Sequence, residues 1–182
     1  MRRHLAAGLA AATLAVGASG CSTAVKTTPG LAALEAGDDA RAYTLLQSEN
    51  AAGTPGSAYG LGVMAMEGRG GATKDEVTGE GILVDAALAG DPRAVSYLAK
   101  YYGAAPLCAK DKELARHWRD IGILQRNLIS GVVETNLALP GVQRMMAEIY
   151  AQPCEGRSPR PAAAAILSGW SRMPRSVTVY VP

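Results

Sequence analysis

Phenylalanine is missing altogether from these 182 residues, and aromatic residues of every kind make up only 5% of them. A thick aromatic core is thereby excluded. With 21 Gly and many Ala, the composition suits thin helices packed closely together. Charge of one sign is scarce as well. The formal net charge is +2, which argues against a protein that lives on phosphate contacts to nucleic acid. Histidine is limited to His4 and His117, and cysteine to Cys21, Cys108 and Cys154, a poor supply for a zinc site. Neither a G-x-S-x-G elbow nor a G-x-x-x-x-G-K-[ST] loop occurs, so the local signatures of a serine hydrolase and of a phosphate cradle are absent. A content of 48% hydrophobic and 19% charged residues excludes disorder throughout. The length suits one ordinary domain.

What is present begins with an address. Arg2 and Arg3 precede a short apolar stretch from Leu5 to Val16, and no acid occurs before Glu35. This is the pattern of a secretory signal, too short in its apolar run to serve comfortably as a permanent span. It closes on Ala18-Ser19-Gly20-Cys21. Small residues before a cysteine resemble the lipobox of bacterial lipoproteins, with Ala18 where that family usually carries Leu. The resemblance implies removal of residues 1–20 and acylation of Cys21. It also implies retention at the outer membrane on its periplasmic face, because Ser22 stands where Asp would hold such a protein at the inner membrane. Residues 22–30, STAVKTTPG, are small and polar and read as a tether. Fully extended, they reach about 30 Å.

The mature chain is formally neutral but uneven. Residues 21–99 hold 5 basic and 10 acidic groups, and residues 100–182 hold 11 basic and 6 acidic. Such a polar molecule is suited to docking in one orientation.

An internal repeat organises the rest. Asp38, Asp75 and Asp111 are spaced by 37 and 36 residues. Four places after each lie Ala42, Gly79 and Ala115, and seven places after each lie Leu45, Ile82 and Trp118. Gly53 and Gly90 follow the first two Asp by 15 places, Ser57 and Ala94 by 19. A period of this length marks a helical array. Each Asp suits an N-cap, and Gly53 and Gly90 suit helix ends. Ile82, Leu83, Ala86 and Ala87 form a narrow stripe, while Gly62 and Ala99 invite a close neighbour. The stretch SAYGLGVMAMEGRGG followed by KDEVTGEGILVDAALAGD resembles the Sel-like repeat family, helix–turn–helix units related to tetratricopeptide repeats. A second unit keeps Leu98, Tyr102, Asp111, Ala115 and Trp118, ending near Gly122. A third, from Val142 to Met173, carries Met146, Ala147 and Tyr150, then Pro161, Ala164, Leu167 and Trp170. Residues 31–53 look like a half unit. The resemblance implies an all-α fold, a short right-handed α/α superhelix over residues 31–173, and a scaffold for protein contacts. It carries no shared catalytic residue. Residues 126–140 read as an extra helix, with Leu128, Ile129, Val132, Val133 and Leu137 in a stripe. Residues 174–182 alternate Val177, Val179 and Val181 with Thr178 and Tyr180, as a strand would.

In this register Cys108 and Cys154 each fall in the turn between the helices of a unit, after Pro106 and Pro153. Equivalent turns stack along one edge of such an array, and export places them in an oxidising compartment. A disulfide is predicted. His117, beside Trp118 on a helix, is expected at the surface or rim, and the carboxylates at caps and on solvated faces. Tyr102 and Tyr150 are assigned to helix packing. Tyr97 and Tyr101, four apart on one helix, are candidates for a protein-binding patch on the concave face. Arg157, Arg160, Arg172 and Arg175 are expected on a solvated face, open to an acidic partner.

These readings predict a non-enzymatic adaptor without cofactor or metal, anchored to the outer membrane by its lipid. Its partners would be envelope proteins rather than nucleic acid or a small-molecule substrate. By the resemblance, the setting would be exopolysaccharide export, secretion or pilus assembly. The alternatives are a cell-wall-acting enzyme and a periplasmic regulator of a sensor or protease.

Overall fold

The computed structural model describes residues 27–129 and 139–172. The signal segment, Cys21, most of the tether, the centre of the 126–140 insertion and the 174–182 tail lie outside the described residues. Every regular element among the described residues is an α-helix: α1 (Pro29–Glu35), α2 (Asp39–Ala51), α3 (Ser57–Glu67), α4 (Glu76–Leu88), α5 (Pro92–Ala104), α6 (Ala109–Ile129), α7 (Leu139–Ala151) and α8 (Pro161–Arg172). They pack as consecutive pairs: α1 with α2, α3 with α4, α5 with α6, α7 with α8. The chain is thus all-helical and built of helix pairs.

Local chemistry sets where the helices start and stop. Pro29 and Pro92 occupy the first turns of α1 and α5, where a missing N–H costs nothing. The Asp75 and Asp91 carboxylates accept from Thr78 N and Arg93 N at 3.0 and 2.9 Å. Of the three repeat aspartates, only Asp75 caps a helix through its side chain. Asp38 stands at the N-cap of α2 without a side-chain bond. Asp111 sits inside the first turn of α6, and its Oδ2 accepts from Leu107 N at 2.8 Å. Gly53 and Gly90, just past α2 and α4, have φ of 69° and 105°, the left-handed turn that glycine takes at least cost.

Two expected boundaries move. Pro29 and Gly30, read as the end of the tether, are the first residues of α1. Thr28 caps that helix, and its hydroxyl and the Gly30 N–H both bond to the Glu49 carboxylate, at 2.5 and 2.7 Å. The second unit, expected to end near Gly122, continues as helix to Ile129. Gly122 is a packing residue there: a Cβ on it would lie 3.2 Å from Val95 Cγ1.

The tightest pair is α3 with α4. A Cβ on Gly79 would fall 2.7 Å from Met66 N and 2.9 Å from Gly62 O, so the backbones touch. The larger core runs from α3 to α8 and includes Leu83, Val84, Leu98, Tyr102, Trp118, Met146, Tyr150 and Leu167. Ile82, expected on the buried stripe, is only half-buried, and Val84 takes its place. A smaller core, with Leu31, Leu34, Leu46 and Met64, lies among α1, α2 and α3. The last pair does not simply stack on the one before it. Helix α8 packs on α4, two pairs back, where Gly81 gives Ala162 room.

Candidate docking surface

Tyrosines from two helix pairs line one face. Tyr59 comes from α3, and Tyr97 and Tyr101 from α5; all three are half-buried. Each is held from a neighbouring element. The Tyr97 hydroxyl donates to Glu67 Oε1 at the end of α3, at 3.2 Å. The Tyr101 hydroxyl lies 3.5 Å from Glu76 Oε2 at the start of α4 and accepts from Arg157 Nη1 at 3.1 Å. The Arg93 guanidinium lies over the Tyr59 ring, 5.2 Å from its centroid, and that of Arg157 lies over Tyr101 at 5.1 Å. Burial, and next the Glu67 carboxylate, push the Tyr97 hydroxyl well above its ordinary pKa, so it stays a donor at every working pH.

Two concavities meet at Tyr59, Pro92 and Arg93. One is a cleft of about 1080 Å³ between the start of α1, the α2–α3 turn and the α4–α5 turn. The other is a shallower depression of about 420 Å³ that adds Ser96, Tyr97 and Lys100. Arg93 at their junction is fixed by two bonds to Asp91, 3.1 and 2.9 Å long. Bare Gly56 lies directly against its Nη2. The arrangement offers flat aromatic surface, a cation and hydroxyls on rigid helices, the kind of chemistry that anchors a polypeptide segment.

Behind the stripe lies a buried polar network that clamps the last pair. Glu80 is fully buried. Its carboxylate accepts from the Tyr102 hydroxyl and from Arg160 Nε, the latter at 2.5 Å. Burial pushes the Glu80 carboxyl up, opposed by Tyr102 and Arg160. Arg157 Nε donates to Asp111 at 2.8 Å, and Asp111 is 1% exposed. Trp118 Nε1 donates to the Tyr150 hydroxyl at 2.9 Å, and the Tyr102 and Tyr150 rings meet edge-on, centroids 5.9 Å apart. The structure pairs Cys108 with Cys154 as a disulfide, with Cα atoms 5.9 Å apart. Next to it Lys110 Nζ donates to Gln152 O at 2.6 Å.

Several expectations are corrected here. Arg157 and Arg160 are not on a solvated face; they are spent on internal carboxylates. The Arg172 side chain and Arg175 lie outside the described residues. Glu80 and Asp111 are buried, neither cap-bound nor solvated as the carboxylates were expected to be. His117 is not at the surface: it is 3% exposed. Its Nε2 is 3.7 Å from Glu113 Oε1 and 3.4 Å from Arg116 Nη2. Burial, and then Arg116, lower its pKa. The signal for Glu80 was in the sequence: positions 80, 83, 84 and 87 share one helix face, so a charge there interrupts the buried stripe of α4.

Among the described residues no group of three or more His, Cys, Asp and Glu side chains is placed to hold a metal ion, and no helix is long and apolar enough to cross a membrane. No family model, no curated protein and no solved structure matches the chain.

Proposed function

We propose that the chain is a Sel-like helical-repeat lipoprotein, anchored at the outer membrane through Cys21, and that it works as a periplasmic adaptor. Its partner would be a segment of another envelope protein lying along Tyr59, Tyr97 and Tyr101. The single observation that carries this reading is the tyrosine stripe. Three half-buried rings from two helix pairs are pinned by Glu67, Glu76, Arg93 and Arg157, beside an open cleft. The run of consecutive helix pairs supports the repeat assignment. The Ala18-Ser19-Gly20-Cys21 sequence supports the anchor, and the acyl chains together would give stable attachment where one is marginal.

A photo-crosslinking residue at exposed Lys100, beside Tyr97, tests the adaptor reading in cells. A discrete envelope protein should be trapped there and not from exposed Arg119 on α6. Tyr97→Ala with Tyr101→Ala should cut the yield at least tenfold, since central aromatic anchors are worth about 2 kcal/mol or more each. Equal trapping from both positions, or insensitivity to the double substitution, would end the reading. Incorporation of labelled palmitate, lost in Cys21→Ala, tests the anchor separately.

A further inference from the structure

The outward face of α6 is basic from near its start to near its end. Lys112, Arg116, Arg119, Ile123 and Arg126 are all exposed. They follow one another at alternating steps of four and three residues, the spacing that keeps side chains on one stripe of a helix. Leu114, Trp118 and Ile121, on the other side of α6, are buried. From Lys112 to Arg126 the stripe runs about 21 Å. It holds four cations and no acid. Among the described residues Lys112, Arg119 and Arg126 make no ion pair, and Arg116 lies 3.8 Å from Glu113 on the flank. The other acids of α6 also stand off the stripe. Asp111 is buried against Arg157, and Asp120 lies seven residues beyond Glu113 on the same flank. Ile123, in the middle of the cations, is 47% exposed. The other large apolar side chain left so open among the described residues is Leu107, in the turn leading into α6.

We infer that this stripe is a contact face for an anionic phospholipid surface, with α6 lying along the plane of the membrane. Four cations without an intervening acid call for an anionic partner. The manner in which they are presented favours lipid over a folded protein. Arg93, Arg157 and Arg160 are each fixed by a carboxylate, whereas three of the four stripe cations are held by none. Neither concavity of the molecule draws a lining residue from α6. Long, unfixed basic side chains on a straight, open face suit headgroups that are themselves mobile and have no set spacing. Ile123 stands between Arg119 and Arg126, so its apolar end can pass below the phosphates while the guanidinium groups stay level with them. Each Lys or Arg near such a surface strengthens attachment about fivefold. The acids of the chain are concentrated elsewhere: residues 27–99 hold ten acids and four bases. The charge distribution therefore turns α6, and not the first helix pairs, toward an anionic plane. The contact goes beyond the adaptor reading and needs neither its tyrosine patch nor its acyl chain.

The test places an environment-sensitive fluorophore on the stripe of the full chain through Ile123→Cys. Cys21→Ala removes the competing thiol, since Cys108 and Cys154 are bonded to each other. A second labelled chain carries the fluorophore at Thr44→Cys, an exposed position of α2. Vesicles of phosphatidylethanolamine and phosphatidylglycerol should shift the emission from position 123 to the blue and leave that from position 44 unchanged. Vesicles of phosphatidylcholine alone should shift neither. Arg119→Glu with Arg126→Glu should abolish most of the shift at position 123, with circular dichroism to show that the helices persist. High salt, which screens the charges without any substitution, should produce the same loss in the unreversed chain. Equal shifts at both positions, an equal response to phosphatidylcholine, or no response to the anionic vesicles would each overturn the inference. Indifference to charge reversal or to salt would overturn it as well. A larger shift at position 123 with soluble polyglutamate than with anionic vesicles would also overturn it and assign the stripe to an acidic protein.

Discussion

Arg160 is the residue whose loss should be felt most. Its side chain is 4% exposed and its Nε lies 2.5 Å from a fully buried Glu80 carboxylate; Nη1 also donates to Ser158 O at 2.8 Å. Arg160→Met keeps much of the apolar stem but leaves Glu80 with Tyr102 as its close donor. Removing one member of a buried ion pair costs about 3–5 kcal/mol, because the other charge stays desolvated. At about 2–4 °C per kcal/mol for a chain of this size, Tm should fall by roughly 6–20 °C. The pH dependence gives an independent check. Burial raises the Glu80 carboxyl above its ordinary 4.5, opposed by Tyr102 and by Arg160, and without Arg160 the opposing charge is gone. The folded variant then binds a proton that the unfolded chain releases, so stability declines as pH rises through the window above 4.5. Urea denaturation should show a larger deficit at about pH 8 than at about pH 5. Adding Glu80→Gln should restore most of the loss, since it removes the stranded charge and keeps an acceptor for Tyr102. A deficit below about 1 kcal/mol, or one that is the same at both pH values, would refute the reasoning.

Replacing Cys108 and Cys154 by Ala opens a loop with a sequence separation of 46 and should cost about 4 kcal/mol on the chain-entropy account; denaturation with and without reductant measures it, and the oxidised wild type should expose neither Cys108 nor Cys154 to a thiol label when unfolded. Gly79→Ala should destabilise by about 1–3 kcal/mol through overpacking, since its Cβ would meet the backbone of α3. Gly169→Ala in α8, where a Cβ meets nothing within 4 Å, should stabilise by up to about 1 kcal/mol; the opposite signs are read from Tm. His117 has a lowered pKa in the folded state, so the unfolded chain binds the extra proton, and stability should fall as pH drops below about 6.5. His117→Gln should flatten that part of the profile, as followed by thermal melts from about pH 7.5 to about pH 5.

How far the sequence revealed this molecule follows the range of each interaction. Helix punctuation is local, and part of it was legible, although of the three repeat aspartates only Asp75 caps a helix through its side chain. Gly53 and Gly90 take the left-handed turn, Pro161 opens a helix, and Tyr102 and Tyr150, assigned to helix packing, lie in the core. Residues that serve two purposes were misread. Gly122 has the look of a stop but lies under Val95, and Pro29-Gly30 has the look of a linker but starts a helix packed on α2. Long-range pairings were illegible in principle. Arg160 lies 80 residues from Glu80, and Arg157 lies 46 from Asp111. Nothing in the local context of either arginine separates a solvated face from a buried bond. The Arg160–Glu80 pair crosses between the two halves and so belongs to the charge imbalance between them, whereas Arg157 and Asp111 both lie in the second half.

The same pairings tie the last helix pair to the docking surface. Arg157 stands three residues from the disulfide at Cys154 and is held by Asp111. From there it bonds the Tyr101 hydroxyl and lies over both the Tyr101 and Tyr102 rings. Tyr101 is therefore positioned by a turn that belongs to α7 and α8, although its own helix is α5. Placing α8 on α4 brings that turn against α4 and α5 at once, which a strictly sequential stack would not do. Opening the disulfide should accordingly loosen Tyr101 before Tyr97. Tyr97 depends on Glu67 at the end of α3 and, among the described residues, has no hydrogen bond to the last pair. The two tyrosines of one patch thus take their rigidity from different helix pairs, Tyr97 from α3 and Tyr101 in part from the α7–α8 turn, and a partner that needs both would bind only while those pairs stay packed together.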